Sequence, residues 1–309
     1  MSAVAPRPWL RNVPMRARRA VAWLTSLARG VLARSRRDDI TQVASQFSFN
    51  GFLATVPFVF VLVSLSRLLI DPQEFEDFLE RNEDVIPAEI RDILIRALAS
   101  AEVNVGQTAF FLGLGVLAAL YVLGNVMGSL IGGLDRTRGV DHRPFLRGKL
   151  VAMVFAAMTS LLVLAVALAL IGGPPVVRAI VDRLVQGPTP DISLTTIVGI
   201  GVVGLLAFTL LLFRYGPNAP RRSLFLDLPG ALVAVGLWLG AMRMFALYLD
   251  NFDSYDRVYG SLGAIVVYLI FLFLSGLSLL IGAELNEQLI EVRRWQRRGW
   301  LRRRRERTG

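Results

Sequence analysis

The chain has 309 residues, 54% of them hydrophobic, and a mean hydropathy of +0.54, whereas a soluble domain holds about 45–50% apolar residues. It has no cysteine, which excludes disulfides, thiolate catalysis and thiolate metal sites. The net charge is +10, and every basic residue except Lys149 is arginine. That charge sits beside apolar runs, so the pattern points to lipid and no nucleic acid is expected as a partner.

A basic leader comes first, with nine arginines against two acids in residues 1–41. Leu24, Leu27, Ala28, Val31 and Leu32 recur there at helical spacing among Arg29, Arg34, Arg36 and Arg37. This predicts an amphipathic helix lying on the inner membrane surface. Each arginine near anionic lipid would contribute about 1 kcal/mol. No cleavable signal is expected, because the first apolar run starts near residue 47 and is too long for one.

Six apolar runs follow, at 47–70, 108–134, 150–171, 192–213, 228–249 and 259–283. Each has about 20 or more residues, enough to cross about 30 Å of hydrocarbon at 1.5 Å per residue. The first run contains Asn50 and Pro57. A proline there frees a carbonyl, which marks either an ordinary kink or a break lining a pathway.

The segment 71–107 then carries three arginines against ten acids. Ile90, Ile93, Leu94, Ala97 and Leu98 form an apolar helical face in it, which predicts amphipathic helices resting on the outer surface. The second run holds Asn125 beside a stripe of Gly124, Gly128 and Gly132, spaced for close approach of another helix. Ser278 and Gly282 offer a weaker match in the sixth run. Between runs two and three, residues 135–149 hold five basic and two acidic residues, and residues 214–224 hold three arginines and no acid.

Asp227 followed by Leu228 and Pro229 reads as an N-cap with a first-turn proline. Arg243 lies six residues before the end of the fifth run. It either snorkels outward to Asp250 or Asp253 or lines a water-filled outer cavity. Tyr248, Tyr255 and Tyr259 cluster at the outer boundary as an interfacial belt. Glu284 and Asn286 end the sixth run, where interfacial solvation is the default expectation. The last segment, 284–309, holds nine arginines against four glutamates, and anionic phospholipid is its expected partner.

Arginine-rich segments stay cytoplasmic. The rich ones are the first, third, fifth and seventh, so both termini are expected inside. The expected fold is all-α: a polytopic integral membrane protein of six transmembrane helices. Its parts are a basic leader at 1–41, a membrane domain at 42–285 with its outer loop at 71–107, and a basic tail at 286–309. Catalytic signals are missing: the sole histidine is His142, and no HExxH, CxxC, GxSxG or Walker A pattern occurs. No enzyme activity, metal or cofactor is expected.

The stretch "RYGPNAPRRSLFLDLPGALVAVGLW", with Tyr215, Pro217, Asn218, Pro229, Gly230 and Ala231, carries a resemblance, as does "YGSLGA…GAELN", with Tyr259, Gly260, Ser261, Gly282, Glu284 and Asn286. The span "ASQFSFNGFLATVPFVF" with Pro57 and the loop "LDRTRGVDHRPFLRGKL" extend it over about residues 35–290. The chain resembles the YihY/virulence factor BrkB family of inner-membrane proteins, whose former label ribonuclease BN is regarded as a misassignment. Many members carry Asn where this chain has Asp135. The resemblance implies six helices and a link to envelope properties. Transport or flipping of an anionic lipid or other envelope component is the expected function, with Asn50, Pro57, Asn125, Arg243 and Glu284 as pathway or hinge residues. The alternative is a non-transporting scaffold whose basic tails organise anionic lipid or partner proteins.

Overall fold

The computed structural model describes residues 15–69, 105–184, 194–249 and 256–305, and all secondary structure among them is helical. The helices are α1 (Met15–Arg37), α2 (Ile40–Leu69), α3 (Val105–Arg138), α4 (Phe145–Leu184), α5 (Leu194–Tyr215), α6 (Leu224–Leu249) and α7 (Asp256–Arg305). Long Leu, Ala, Val and Phe runs favour helices here, because only intrahelical bonds satisfy the backbone where water is absent. Five stretches of the described residues are long and apolar enough to cross a bilayer: Gly115–Arg138, Phe145–Val163, Thr196–Tyr215, Leu224–Tyr248 and Ile265–Trp295. The predicted first span lies in α2, which continues as one helix through Pro57 to Leu69. The predicted helices of the 71–107 loop lie outside the described residues.

Helices α2 to α7 pack in a ring in chain order. Each neighbour touches the next, α7 closes against both α6 and α2, and α3 also reaches α7 across the middle. The buried core includes Ala44 and Phe47 of α2, Leu130 and Leu134 of α3, and Ala152 and Phe155 of α4. Leu212 and Phe213 of α5, Ala231 and Ala234 of α6, and Leu280 of α7 complete it. These residues lie early in α2, α4 and α6 and late in α3 and α5. Successive helices therefore run in opposite directions, and the core sits at the end that carries the basic segments.

Turn chemistry explains how the chain reverses at this end. Helix α3 stops where Gly139 adopts φ 63°. The Gly139 amide donates to Arg136 O at 2.9 Å and the Val140 amide to Asp135 O at 3.0 Å, the paired bonds of a Schellman C-cap. Pro217 and Pro220, lacking donors, keep α5 from continuing past Tyr215. Asp39, with φ 50°, makes the tight break between α1 and α2.

Helix α7 has 50 residues. At 1.5 Å per residue it measures about 75 Å, far more than the roughly 30 Å hydrocarbon layer. Its basic part therefore extends past the spans, and α1 packs along it. Leu27 and Val31 of α1 are partly covered, while Trp23, Leu24 and Leu32 remain exposed.

Candidate functional site

Helix α3 lies between α2 and α4, and it packs against both while those two have no substantial contact with each other. The result is a groove of about 480 Å³. Its floor is the small-residue face of α3, with Gly124, Gly128 and Gly132, and its walls include Gln46, Asn50, Asn125, Phe145 and Lys149. Lys149 Nζ donates to Asn125 Oδ1 at 2.5 Å and to the Tyr121 carbonyl at 3.1 Å. The ammonium also stands 3.9 Å from the centre of the Tyr121 ring, a favourable cation–π placement. No carboxylate pairs with Lys149 among the described residues. Apart from Arg143, whose guanidinium is taken up by the backbone carbonyls of residues 215–217, the groove presents the Lys149 ammonium and several amides, which suits an anionic headgroup.

At its basic end the groove reaches Asp135, His142 and Arg143. Asp135 is buried; it accepts the Asn218 amide at 2.7 Å and meets His142 Nδ1 at 3.0 Å. Arg143 donates to the Gly216 carbonyl, to Pro217 O at 2.8 Å and to Tyr215 O at 3.2 Å. Asn218 Nδ2 donates to Asp141 O at 3.0 Å. Tyr215, Pro217 and Asn218 are therefore fastened to the α3–α4 turn, which fixes one end of the groove.

A second network ties α3, α6 and α7. Arg138, with a side chain only 4% exposed, meets Asp227, 1% exposed, at 3.4 Å and Glu287 at 3.6 Å. It also donates to the Phe213 carbonyl, and Arg222 pairs with Glu287. Asn286 donates to Asp227 O at 2.9 Å and accepts the Gly230 amide at 2.7 Å. A Cβ on Gly230 would fall on the Gly282 carbonyl oxygen, so these two backbones touch. Close by, Arg34 of α1 donates to Glu284 Oε2 at 2.9 Å and to Thr137 O at 2.9 Å. At the α1–α2 break, burial pushes the Asp38 carboxyl up, but hydrogen bonds with Arg37 and Glu284 and the charges of Arg37 and Arg34 together outweigh it and hold that carboxyl below the usual range.

The sequence candidates separate in space. Asn50 and Asn125 line one groove. Pro57 lies within α2 two residues past Thr55, whose hydroxyl meets that of Tyr268 of α7 at 2.9 Å. Arg243 is exposed on α6 and lines neither the groove nor the basic-end network. Asp250, Asp253 and Tyr255 lie outside the described residues. Tyr259, Gly260 and Ser261 fall in the first turns of α7.

Two local expectations change. Glu284 is fully buried against Arg34 and not solvated at an interface. Asp227 is not the N-cap, because α6 begins three residues earlier; its carboxylate faces Arg138. Spacing rules do not single out Arg138, Arg143, Asp135 or Lys149, which read as loop charge. The one local signal is Gly139 directly after Arg138, which marks a helix end and places that arginine in the last turn.

Comparison with known proteins agrees with the motif reading. The profile described as "Virulence factor BrkB" matches residues 31–307. The chain is 26% identical over 259 residues to "Putative ribonuclease-like protein YfkH" of Bacillus subtilis (strain 168), covering 80% of this chain and 88% of that protein. It is 28% identical over 271 residues to a UPF0761 membrane protein of Pseudoalteromonas translucida (strain TAC 125), covering 81% of each. A UPF0761 membrane protein of Aeromonas salmonicida (strain A449) is 27% identical over 270 residues, covering 83% of this chain and 86% of that one. No solved structure matches the chain. With the profile spanning the groove, both basic-end networks and all six ring helices, the chain belongs to the virulence factor BrkB family.

Proposed function

We propose that the chain is a six-span protein of the bacterial inner membrane, with both termini cytoplasmic, that moves an anionic lipid or a related anionic envelope amphiphile along the groove between α2, α3 and α4. The observation that carries this reading is the groove itself. It has about 480 Å³ of space beside Lys149, and α2 and α4 stand apart on its two sides. That volume falls in the range of ligand pockets, roughly 300–1,000 Å³. A cation at membrane depth is costly without compensation, and a phosphate headgroup would supply the counter-charge.

The test is transbilayer movement of a labelled anionic phospholipid in liposomes. Lys149→Met combined with Asn125→Leu keeps the side-chain bulk and removes the polar pair. One charge-assisted hydrogen bond is worth about 1.5–3 kcal/mol, so the rate is expected to fall at least about tenfold. An unchanged rate in a folded double variant would exclude the groove. It would favour the scaffold reading, which the extension of basic α7 past its span supports.

Orientation has its own check. The four basic segments meet at one end of the bundle through Arg34–Glu284, Arg143–Gly216, Arg138–Asp227 and Arg222–Glu287, which supports placing them on one side. The chain lacks cysteine, so a single Glu80→Cys substitution reports its side cleanly. The thiol is expected to label from outside intact cells; labelling only from the cytoplasmic side would invert the topology.

A further inference from the structure

We infer that the basic end of the bundle holds a second site, separate from the groove: an arginine-walled cleft that binds a phosphate-bearing ligand. The cleft has a volume of about 800 Å³ and lies between α1, the end of α3, residues 219–222 and the extension of α7. Its walls carry Arg34, Arg37, Arg138, Arg221, Arg222 and Arg294 against Glu287 and Glu291.

These arginines divide by partner. Arg34 meets Glu284 and Glu291, Arg37 meets Asp38, Arg138 meets Asp227 and Glu287, and Arg222 shares Glu287 with Arg138. Held by carboxylates, these four shape the walls. Arg221 and Arg294 have no carboxylate partner among the described residues, and both are exposed. Arg221 is positioned by the Tyr215 ring, 5.0 Å away. Deeper in the same cleft, Arg138 keeps one guanidinium nitrogen, Nη1, buried without a hydrogen-bond partner.

With six arginines against two glutamates the cleft wall has an excess of positive charge, which concentrates anions, and the planar guanidinium fork matches phosphate oxygens. The cleft thus offers two unpaired forks on walls that four ion-paired arginines keep in place. Its volume suits a small phosphorylated molecule or a lipid headgroup. Trp295 lines the cleft and is largely exposed, so its emission reports occupancy.

The experiment titrates the full-length protein in detergent with inorganic pyrophosphate. In parallel it compares nanodiscs of phosphatidylcholine with and without phosphatidic acid. Both arms read tryptophan emission against a Trp295→Phe control. A saturable change that disappears with Trp295→Phe is expected. The Arg221→Gln/Arg294→Gln double variant should weaken apparent affinity at least about tenfold, since bonds to charged groups are being removed, with no change in melting temperature. A response to pyrophosphate assigns a soluble phosphorylated ligand, and a response only to phosphatidic acid assigns a headgroup; either supports the site. Absence of any saturable response in both arms, or undiminished affinity in the double variant, overturns it. Neither arginine lines the groove, so this result and the Lys149 result are read independently.

Discussion

Arg138→Met is expected to destabilise the bundle by about 3–5 kcal/mol, the usual cost of removing one partner from a buried ion pair. Asp227 is 1% exposed and would keep a carboxylate with no cation in direct contact, since Arg222 already serves Glu287. Methionine fills much of the arginine stem's volume, so the loss reports charge and hydrogen bonding more than packing. The partner change separates these terms. A buried pair replaced as a whole by apolar residues is often neutral, so Arg138→Met with Asp227→Leu should recover most of the loss. The measurement is thermal unfolding in detergent, followed by the surviving monodisperse fraction, for the two single variants and the double. Additive losses would mean that Arg138 and Asp227 do not form the pair seen here.

That pair also shows how far the sequence could lead. Apolar runs, arginine-rich segments and a glycine after Arg138 are local signals, and they suffice for an all-helical membrane fold and for where the chain turns. The contact between Arg138 and Asp227 joins residues 89 apart, and no spacing rule spans that distance. Asp227 has a sufficient local explanation as a cap before Pro229, so nothing in the sequence asks for a distant partner. Glu284 stands at the end of an apolar run, where solvation is the cheapest reading; only the packing of α1 along α7 reveals that Arg34 covers it. Lys149 counts as loop charge until α4 is seen to begin at Phe145, which places the ammonium beside Asn125. Asn50 and Asn125 are legible as polar anomalies, but their convergence on one groove depends on which helices flank α3.

The glycines make the same point and carry the second large effect. The Gly124, Gly128, Gly132 stripe is the more obvious sequence signal for close helix approach. Yet a Cβ on Gly128 would have Ala152 Cβ as its nearest neighbour, 3.9 Å away, an ordinary contact. Gly132 is similarly open, and a Cβ on Gly124 would press only on the flexible Met153 side chain, at 3.1 Å; the tight backbone-to-backbone crossing is elsewhere. A Cβ on Gly282 would collide with the Gly230 carbonyl oxygen and come within 2.7 Å of Ala234 Cβ, and a Cβ on Gly230 would collide with the Gly282 carbonyl oxygen. Backbone atoms cannot rotate away as a side chain can, so α6 and α7 must separate to admit even a methyl group. Separation also pulls Asn286 from the Gly230 amide and the Asp227 carbonyl, leaving buried polar groups unpaired. Gly282→Ala and Gly230→Ala are each expected to cost about 2–3 kcal/mol, the upper part of the overpacking range. Gly128→Ala should be neutral or slightly stabilising, because alanine is the better helix former by about 1 kcal/mol. Melting temperatures of the three variants in one detergent decide between the two stripes. If Gly128→Ala were the damaging change and Gly282→Ala harmless, the ring would have to be held together at α3 and α4 and not at the α6–α7 crossing.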